Sequence, residues 1–138
     1  MATDRLTKLT KKLEESSKAF GDCATQLSNQ IVAFESYLNS LPGKTEIIVR
    51  DKIGNGLKFG RAGDGKWILV FGPKAAGGIA SELSKLSIEL KTEAVPLFEP
   101  LVQALIKQMN ERLAKVEGAV KTAAELLGDL KGTGKEGA

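Results

Sequence analysis

The fold class of this chain is decided by residues 45–72, which read TEIIVRDKIGNGLKFGRAGDGKWILVFG. Three short runs rich in apolar residues, at 46–50, 57–61 and 67–71, are typical of strands. Asn-Gly and Asp-Gly dipeptides lie between the runs, and these dipeptides favour tight hairpin turns. The segment therefore predicts a three-stranded antiparallel β-meander over about residues 45–72.

The register of the first hairpin depends on the length of its loop. A three-residue loop at 54–56 places Val49 opposite Arg61 and collects the apolar side chains of both strands on one face. A two-residue loop would instead set Ile53 opposite a lysine. We therefore expect the three-residue loop.

The third predicted strand, residues 67–71, is apolar on both faces. In a three-stranded meander it is also an edge strand, and an exposed apolar edge invites pairing with another chain unless helices cover it. Trp67, Leu69 and Phe71 are therefore the candidate oligomer interface.

A long helix precedes the meander, because apolar residues recur every seven positions from Leu6 to Leu41, with partners three or four residues along. Pro42 and Gly43 end this pattern, since proline disfavours helical geometry in the preceding residue and glycine lets the chain turn. The first helix is predicted over about residues 3–41.

Helical periodicity returns after the meander. The pattern predicts a linker at 73–78, a short helix over about 79–94, and a long helix over about 97–129 that is separated from it by a break near Pro96. The Gly- and Lys-rich residues 130–138 are predicted to form a flexible tail.

These elements define an α+β chain, with residues 1–138 as a single domain. We expect the two long helices to pack as a long antiparallel, coiled-coil-like hairpin, because two stripes of similar length can cover each other. The three-stranded antiparallel β-meander is inserted between the helices, and the second helix is broken near Pro96.

Composition favours a cytoplasmic protein without membrane contact. Apolar residues make up 42% of the chain and charged residues 27%, as in ordinary globular domains. No apolar run approaches the roughly 20 residues of a membrane span. The first residues lack the apolar region of a signal peptide.

The residue inventory argues against most enzymes. The chain has no histidine and a single cysteine, Cys23, which removes imidazole as a general base and excludes zinc sites built on His or clustered Cys. Cys23 falls within the apolar stripe of the first helix and is expected to be a buried, unreactive thiol. We expect no catalytic residue, no metal site and no cofactor.

Residues 60–67, GRAGDGKW, come close to a phosphate-binding loop. The final position of that motif requires Ser or Thr to hold magnesium, but this chain has Trp67. The motif must also open a helix, whereas a strand follows here. A β-turn is therefore the expected structure.

The positive charge is concentrated in the central part of the chain, where residues 42–78 carry seven basic and three acidic side chains. Basic and aromatic side chains on a small sheet can hold nucleic acid or another polyanion. The candidate patch consists of Arg50, Lys52, Lys58, Arg61 and Lys66. This is the alternative to a protein-binding function.

The leading functional prediction is a non-enzymatic protein-protein interaction or scaffold module, homo-oligomeric through the helix stripes, the strand at 67–71, or both. Two helices alone bury little surface, so association would supply the missing burial. The order helix, β hairpins, helix resembles the architecture of prefoldin-type chaperone subunits. That resemblance implies assembly through the β units, with Trp67–Phe71 as the pairing edge, and client binding by the helix tips.

Overall fold

The computed structural model describes residues 2–73 and 80–136, and the side chains within 3–73 and 80–132. Apart from residue 73, the predicted linker at 73–78 lies outside these residues. The chain divides into two compact units, of which the first ends at Leu101 and the second begins at Val102. The elements are α1 (Ala2–Ser40), β1 (Ile47–Arg50), β2 (Gly56–Arg61), β3 (Trp67–Gly72), β4 (Ser81–Glu82), a 3-10 turn (Leu83–Lys85), α2 (Ile88–Ala94), a second 3-10 turn (Val95–Leu97) and α3 (Phe98–Glu136).

The helix α1 has the length that its sequence pattern indicates. Its last turn closes with a hydrogen bond from the Leu41 N–H to the Leu38 carbonyl (3.3 Å), and the chain then turns at Gly43, whose φ is 72°. Glycine adopts this left-handed conformation without the steric cost that a Cβ would impose.

The sheet is antiparallel, as predicted, but it has four strands in the order β1-β2-β3-β4. The fourth strand pairs Glu82 with Val70 and Ser81 with Phe71. It occupies part of the region predicted as a helix from residue 79, because β3 offers unpaired backbone groups and the following residue, Leu83, becomes fully buried.

The register predicted for the first hairpin is wrong. Val49 lies opposite Leu57, and Arg50 lies opposite Gly56, so the loop between the strands is longer than three residues. The predicted pairing of Val49 with Arg61 does not form. Both registers place Val49 on the same sheet face as Leu57, which is why side-chain alternation alone could not separate them.

The Asp51 side chain explains this longer loop. Its Oδ1 accepts hydrogen bonds from the N–H groups of Ile53 (3.0 Å) and Asn55 (2.9 Å). Its backbone N–H donates to the Asn55 carbonyl at 3.0 Å. Gly54 lies between Ile53 and Asn55 and has a φ of 97°. An aspartate that satisfies loop amides in this way stabilises a turn.

One face of the sheet carries the core of the first unit. Side chains alternate between the two faces of a strand, and the inner face presents Leu57, Phe59, Leu69 and Phe71, all of them buried. The other buried apolar side chains of this unit are Ile31, Leu38, Leu83, Ala94, Leu97 and Leu101. Phe34 of α1 also stacks on Phe98, with ring centroids 4.5 Å apart.

The helical region after the sheet departs from its prediction at both ends. The helix α2 begins at Ile88 rather than near residue 79, and the Ser87 hydroxyl caps it by accepting from the Leu90 N–H at 3.4 Å. The helix α3 continues past the predicted end at residue 129 as far as Glu136. The predicted flexible tail is therefore helical up to that residue.

Candidate interaction surfaces

The edge of β3 is covered by side chains from α1. The Leu69 N–H donates to Glu35 Oε2 at 2.8 Å, and Asn39 Nδ2 donates to the Trp67 carbonyl oxygen at 2.7 Å. Glu35 and Asn39 are four residues apart and therefore lie on the same face of the helix. They satisfy backbone groups that another strand would otherwise pair with.

The candidate interface at Trp67, Leu69 and Phe71 was predicted from an open edge, and that premise fails. Leu69 and Phe71 are completely buried. Trp67 is half-buried and lies against Phe59, with ring centroids 5.3 Å apart. Beyond the part covered by α1, β4 pairs with the strand, so the edge is used within the chain.

An open groove of about 480 Å³ lies beside the contact between α1 and β3. Two of its charged groups have partners within the chain: Lys44 Nζ donates to the Asn39 carbonyl at 2.7 Å, and Glu82 pairs with Lys85 at 3.2 Å. The side chains that line it are Glu35, Asn39, Lys44, Lys66, Trp67, Ile68 and Glu82, together with Gly65. Its two glutamates balance its two lysines, so we assign it no ligand.

The sheet does not gather the five basic candidates into one patch. Arg50 and Lys58 share the outer face, by strand alternation and register. Arg61 projects from the inner face, and its Nη2 would lie 3.9 Å from a Cβ at Gly65 in the next turn. Lys52 and Lys66 occupy the loops at the two ends of the sheet.

Acidic side chains share the outer face with these cations. A Cβ at Gly60 would lie 2.9 Å from Lys58 Cε and 3.4 Å from Glu46 Oε1, so both side chains extend over that glycine. Glu82 lies in the same cross-strand row as Lys58. The outer face is therefore mixed in charge, and polyanion binding gains no support from it.

The segment that resembles a phosphate loop is a hairpin turn between β2 and β3. The Ala62 N–H donates to the Lys66 carbonyl at 2.7 Å, and the Gly65 N–H donates to the Ala62 carbonyl at 2.9 Å. The strand β3 follows it. The segment is therefore a turn between two strands, as expected from the sequence.

The apolar residues in the first half of α1 form an exposed stripe. All described side chains from residue 3 to residue 23 are exposed, and the larger apolar ones retain between 55% and 68% of their accessible surface. The α1 stripe consists of Leu6, Leu9, Leu13 and Phe20. More than half of the accessible surface of each of these four side chains therefore stays open within the part of the chain that the structure describes.

Cys23 lies at the end of the α1 stripe, and the prediction that it is buried is wrong, because its thiol is exposed. Beyond it the stripe enters the folded part of the first unit. A shallow groove of about 130 Å³, lined by Phe20, Cys23, Leu27 and Ile88 among others, marks the point where α1 meets α2.

A second exposed stripe follows α3 within the second unit. All side chains from residue 111 to residue 132 are exposed, and the larger apolar ones retain between 52% and 69% of their accessible surface. The α3 stripe consists of Ile106, Met109, Leu113, Val116, Val120, Ala123, Leu127 and Leu130. Met109 is its only half-buried member.

Neither a cluster of metal-ligating side chains nor a membrane-crossing helix is found among the described residues. No group of three or more His, Cys, Asp or Glu side chains is placed to hold a metal ion within the described ranges. No helix in that part of the chain combines the length and the apolarity that a membrane crossing requires.

Comparison with protein-family models, curated proteins and solved structures gave no match. Sequence reasoning missed Glu35 and Asn39, although their four-residue spacing beside the buried Leu38 was a usable signal. Polar residues that flank a buried helical position are placed to meet the backbone of whatever packs there.

Proposed function

We propose that this protein is a non-enzymatic self-association module. In this proposal, the folded first unit holds one end of α1 in place, and the exposed stripes of α1 and α3 bind further copies of the chain. The observation that supports it is the exposure of two long heptad-like apolar stripes. Apolar faces of this length are normally covered in solution, because leaving them in water costs about 25 cal/mol per Å².

A second copy is the occupant that we propose for the stripes. The competing occupant is the other long helix of the same chain, in an antiparallel, coiled-coil-like hairpin whose second helix is broken near Pro96. The two arrangements differ in the mass of the species in solution. Self-association depends on protein concentration, whereas pairing within one chain does not.

The test is the molar mass of the full chain, measured by sedimentation equilibrium between nanomolar and high micromolar concentrations. The proposal expects a multiple of the 14.7 kDa chain mass at the upper end. The double variant Leu113→Glu and Val120→Glu should then lower the mass, because charge within an apolar seam is costly to bury. A wild-type chain that stays monomeric throughout would exclude the proposal.

A matched control adds the same charge to the opposite face of α3. Ala114→Glu combined with Thr122→Glu introduces two carboxylates at exposed positions outside the stripe. This variant should keep the mass of the wild type. If both double variants dissociate equally, the effect comes from net charge rather than from the apolar seam.

A further inference from the structure

The α3 stripe follows a heptad more strictly than the α1 stripe does. Its members alternate at spacings of three and four residues without interruption from Ile106 to Leu130, whereas Ser16 interrupts the α1 stripe. The first core position of each heptad is held by Ile106, Leu113, Val120 and Leu127, and the second by Met109, Val116, Ala123 and Leu130. A sustained repeat of this kind is the pattern of a left-handed coiled coil.

The residues beside this seam include one complementary charged pair. Arg112 immediately precedes the core position of Leu113, and Glu117 immediately follows the core position of Val116. Consider a parallel, in-register coiled coil. The residue just before a first core position (position g of the heptad) faces a residue of the partner helix that lies five positions further along, just after the next second core position (position e). Arg112 of one copy would then face Glu117 of the other, and symmetry repeats the pair.

The other three flanking pairs of a parallel arrangement carry no like charges. They join Leu105 to Asn110, Ala119 to Ala124, and Leu126 to Lys131. An antiparallel arrangement pairs positions of the same kind, so Arg112 would face Leu105, Arg112, Ala119 or Leu126 of the partner helix and never Glu117. The charges therefore favour the parallel orientation.

From the exposed seam and these charges we infer that α3 binds a second copy of this chain as a parallel, in-register, two-stranded coiled coil. Residues 106–130 form the seam, and Arg112 of each copy pairs with Glu117 of the other. The inference rests on the proposed function, to which it adds the helix that pairs with its own copy, the number of strands, the orientation and the register. Charged residues that flank a coiled-coil seam set the choice and orientation of the partner.

The first experiment exchanges the charges in the full chain. Arg112→Glu alone and Glu117→Arg alone each replace two attractive pairs per dimer by two repulsive ones. Each should raise the dimer dissociation constant about tenfold at low salt. The combined variant, Arg112→Glu with Glu117→Arg, restores both attractive pairs and should return to within about threefold of the wild type.

Mixing the two single variants provides a sharper readout. One variant carries only acidic side chains at the paired positions and the other only basic ones, so a mixed dimer gains two attractive pairs. Native mass spectrometry of an equimolar mixture should therefore show mainly mixed dimers, although neither variant dimerises well alone. A statistical mixture would contradict the inferred pairing.

The second experiment tests orientation independently of charge. In a Cys23→Ser background, Ala123→Cys places a thiol in a core layer that faces its own copy only if the helices are parallel and in register. Oxidation should then form a disulfide-linked dimer. In an antiparallel arrangement Ala123 would face a first core position of the partner helix and would not cross-link with itself. Lys121→Cys, on the outer face, should not cross-link either and serves as the control.

The outcomes separate the inference from the proposed function. An assembly that responds to Leu113→Glu with Val120→Glu, but not to the charge exchanges or to the Ala123→Cys cross-link, contradicts the parallel arrangement and leaves self-association standing. A mass of three or more chains that persists in Leu9→Glu with Leu13→Glu, where the α1 stripe carries two charges, contradicts the two-stranded seam. A wild-type chain that stays monomeric removes both proposals.

Discussion

Glu35 and Leu69 are 34 positions apart in the sequence, yet the Glu35 carboxylate accepts a hydrogen bond from the Leu69 backbone N–H at 2.8 Å. This bond attaches α1 to the first half of β3, before the residues that pair with β4. It places a charged acceptor on a strand edge, where charge-assisted hydrogen bonds are stronger than neutral ones.

Replacing Glu35 by alanine should destabilise the first unit by about 1–3 kcal/mol, because a part-buried N–H loses its acceptor. Urea unfolding followed by the fluorescence of Trp67, the chain's single tryptophan, measures this change. Glu35→Gln keeps an oxygen acceptor and should destabilise the first unit less than Glu35→Ala does. Glu15→Ala, at an exposed position of the same helix, is the control and should lie within about 0.5 kcal/mol of the wild type.

Asp51 makes a second testable contribution. Asp51→Ala removes the acceptor for two loop amides and for Asn55 Nδ2, which donates to Oδ2 at 3.0 Å. The expected loss is about 1–3 kcal/mol, since two loop amides lose their acceptor and the buried Asn55 side chain loses its hydrogen bond to Asp51. Asp64→Ala in the other hairpin removes a single exposed hydrogen bond to the Lys66 N–H. If Asp64→Ala lowers the free energy of unfolding by as much as Asp51→Ala does, the explanation of the first loop is wrong.

Gly65 and Gly63 provide a matched pair in the second turn. Gly65 has a φ of 87°, a conformation that costs a residue with a Cβ roughly 1–2 kcal/mol. Gly65→Ala should therefore destabilise the hairpin by about that amount. A Cβ at Gly63 would meet no other atom within 4 Å, and its φ is not in the left-handed region. Gly63→Ala should be neutral or slightly stabilising. Thermal unfolding of both variants and of the wild type measures the difference.

The Cys23 thiol reports on the α1 stripe. It is exposed in the single chain, so it should react with a disulfide reagent such as dithiobis(nitrobenzoate) in dilute, folded protein at nearly the rate of a free thiol. If other copies cover the α1 stripe, the rate should fall as protein concentration rises. In Leu9→Glu with Leu13→Glu it should stay fast at all concentrations. Slow reaction at the lowest concentration would contradict the exposure itself.

The sequence predicted the parts of the fold that depend on local signals. Pro42 and Gly43 marked the end of α1, and the apolar run at 67–71 marked β3. The strand β4 could not be predicted in this way, because Ser81 and Glu82 have no strand propensity and become extended only by pairing with β3. The register of the first hairpin was misplaced because it depends on the Asp51 side chain rather than on alternation.

The candidate sites show the same difference between features that depend on local signals and features that depend on tertiary packing. Periodicity identified both helix stripes, but it could not indicate which parts other elements cover, and so Cys23 was placed in a core. The interface predicted at Leu69 assumed three strands. Because Leu69 is fully buried, a charge placed there should unfold the sheet rather than dissociate an assembly. That variant therefore cannot test self-association.

The uncovered stretches of α1 and α3 have a thermodynamic consequence for the protein's response to its own concentration. Helical stability in proteins comes mostly from packing of an apolar face rather than from intrinsic propensity, and it depends on length and temperature. Residues 3–23 and 111–132 should therefore lose helicity in dilute solution while Trp67 still reports a folded sheet. Helicity in these two segments would then be gained through binding, so that the protein's own abundance, together with temperature and denaturant, sets how much of α1 and α3 is helical.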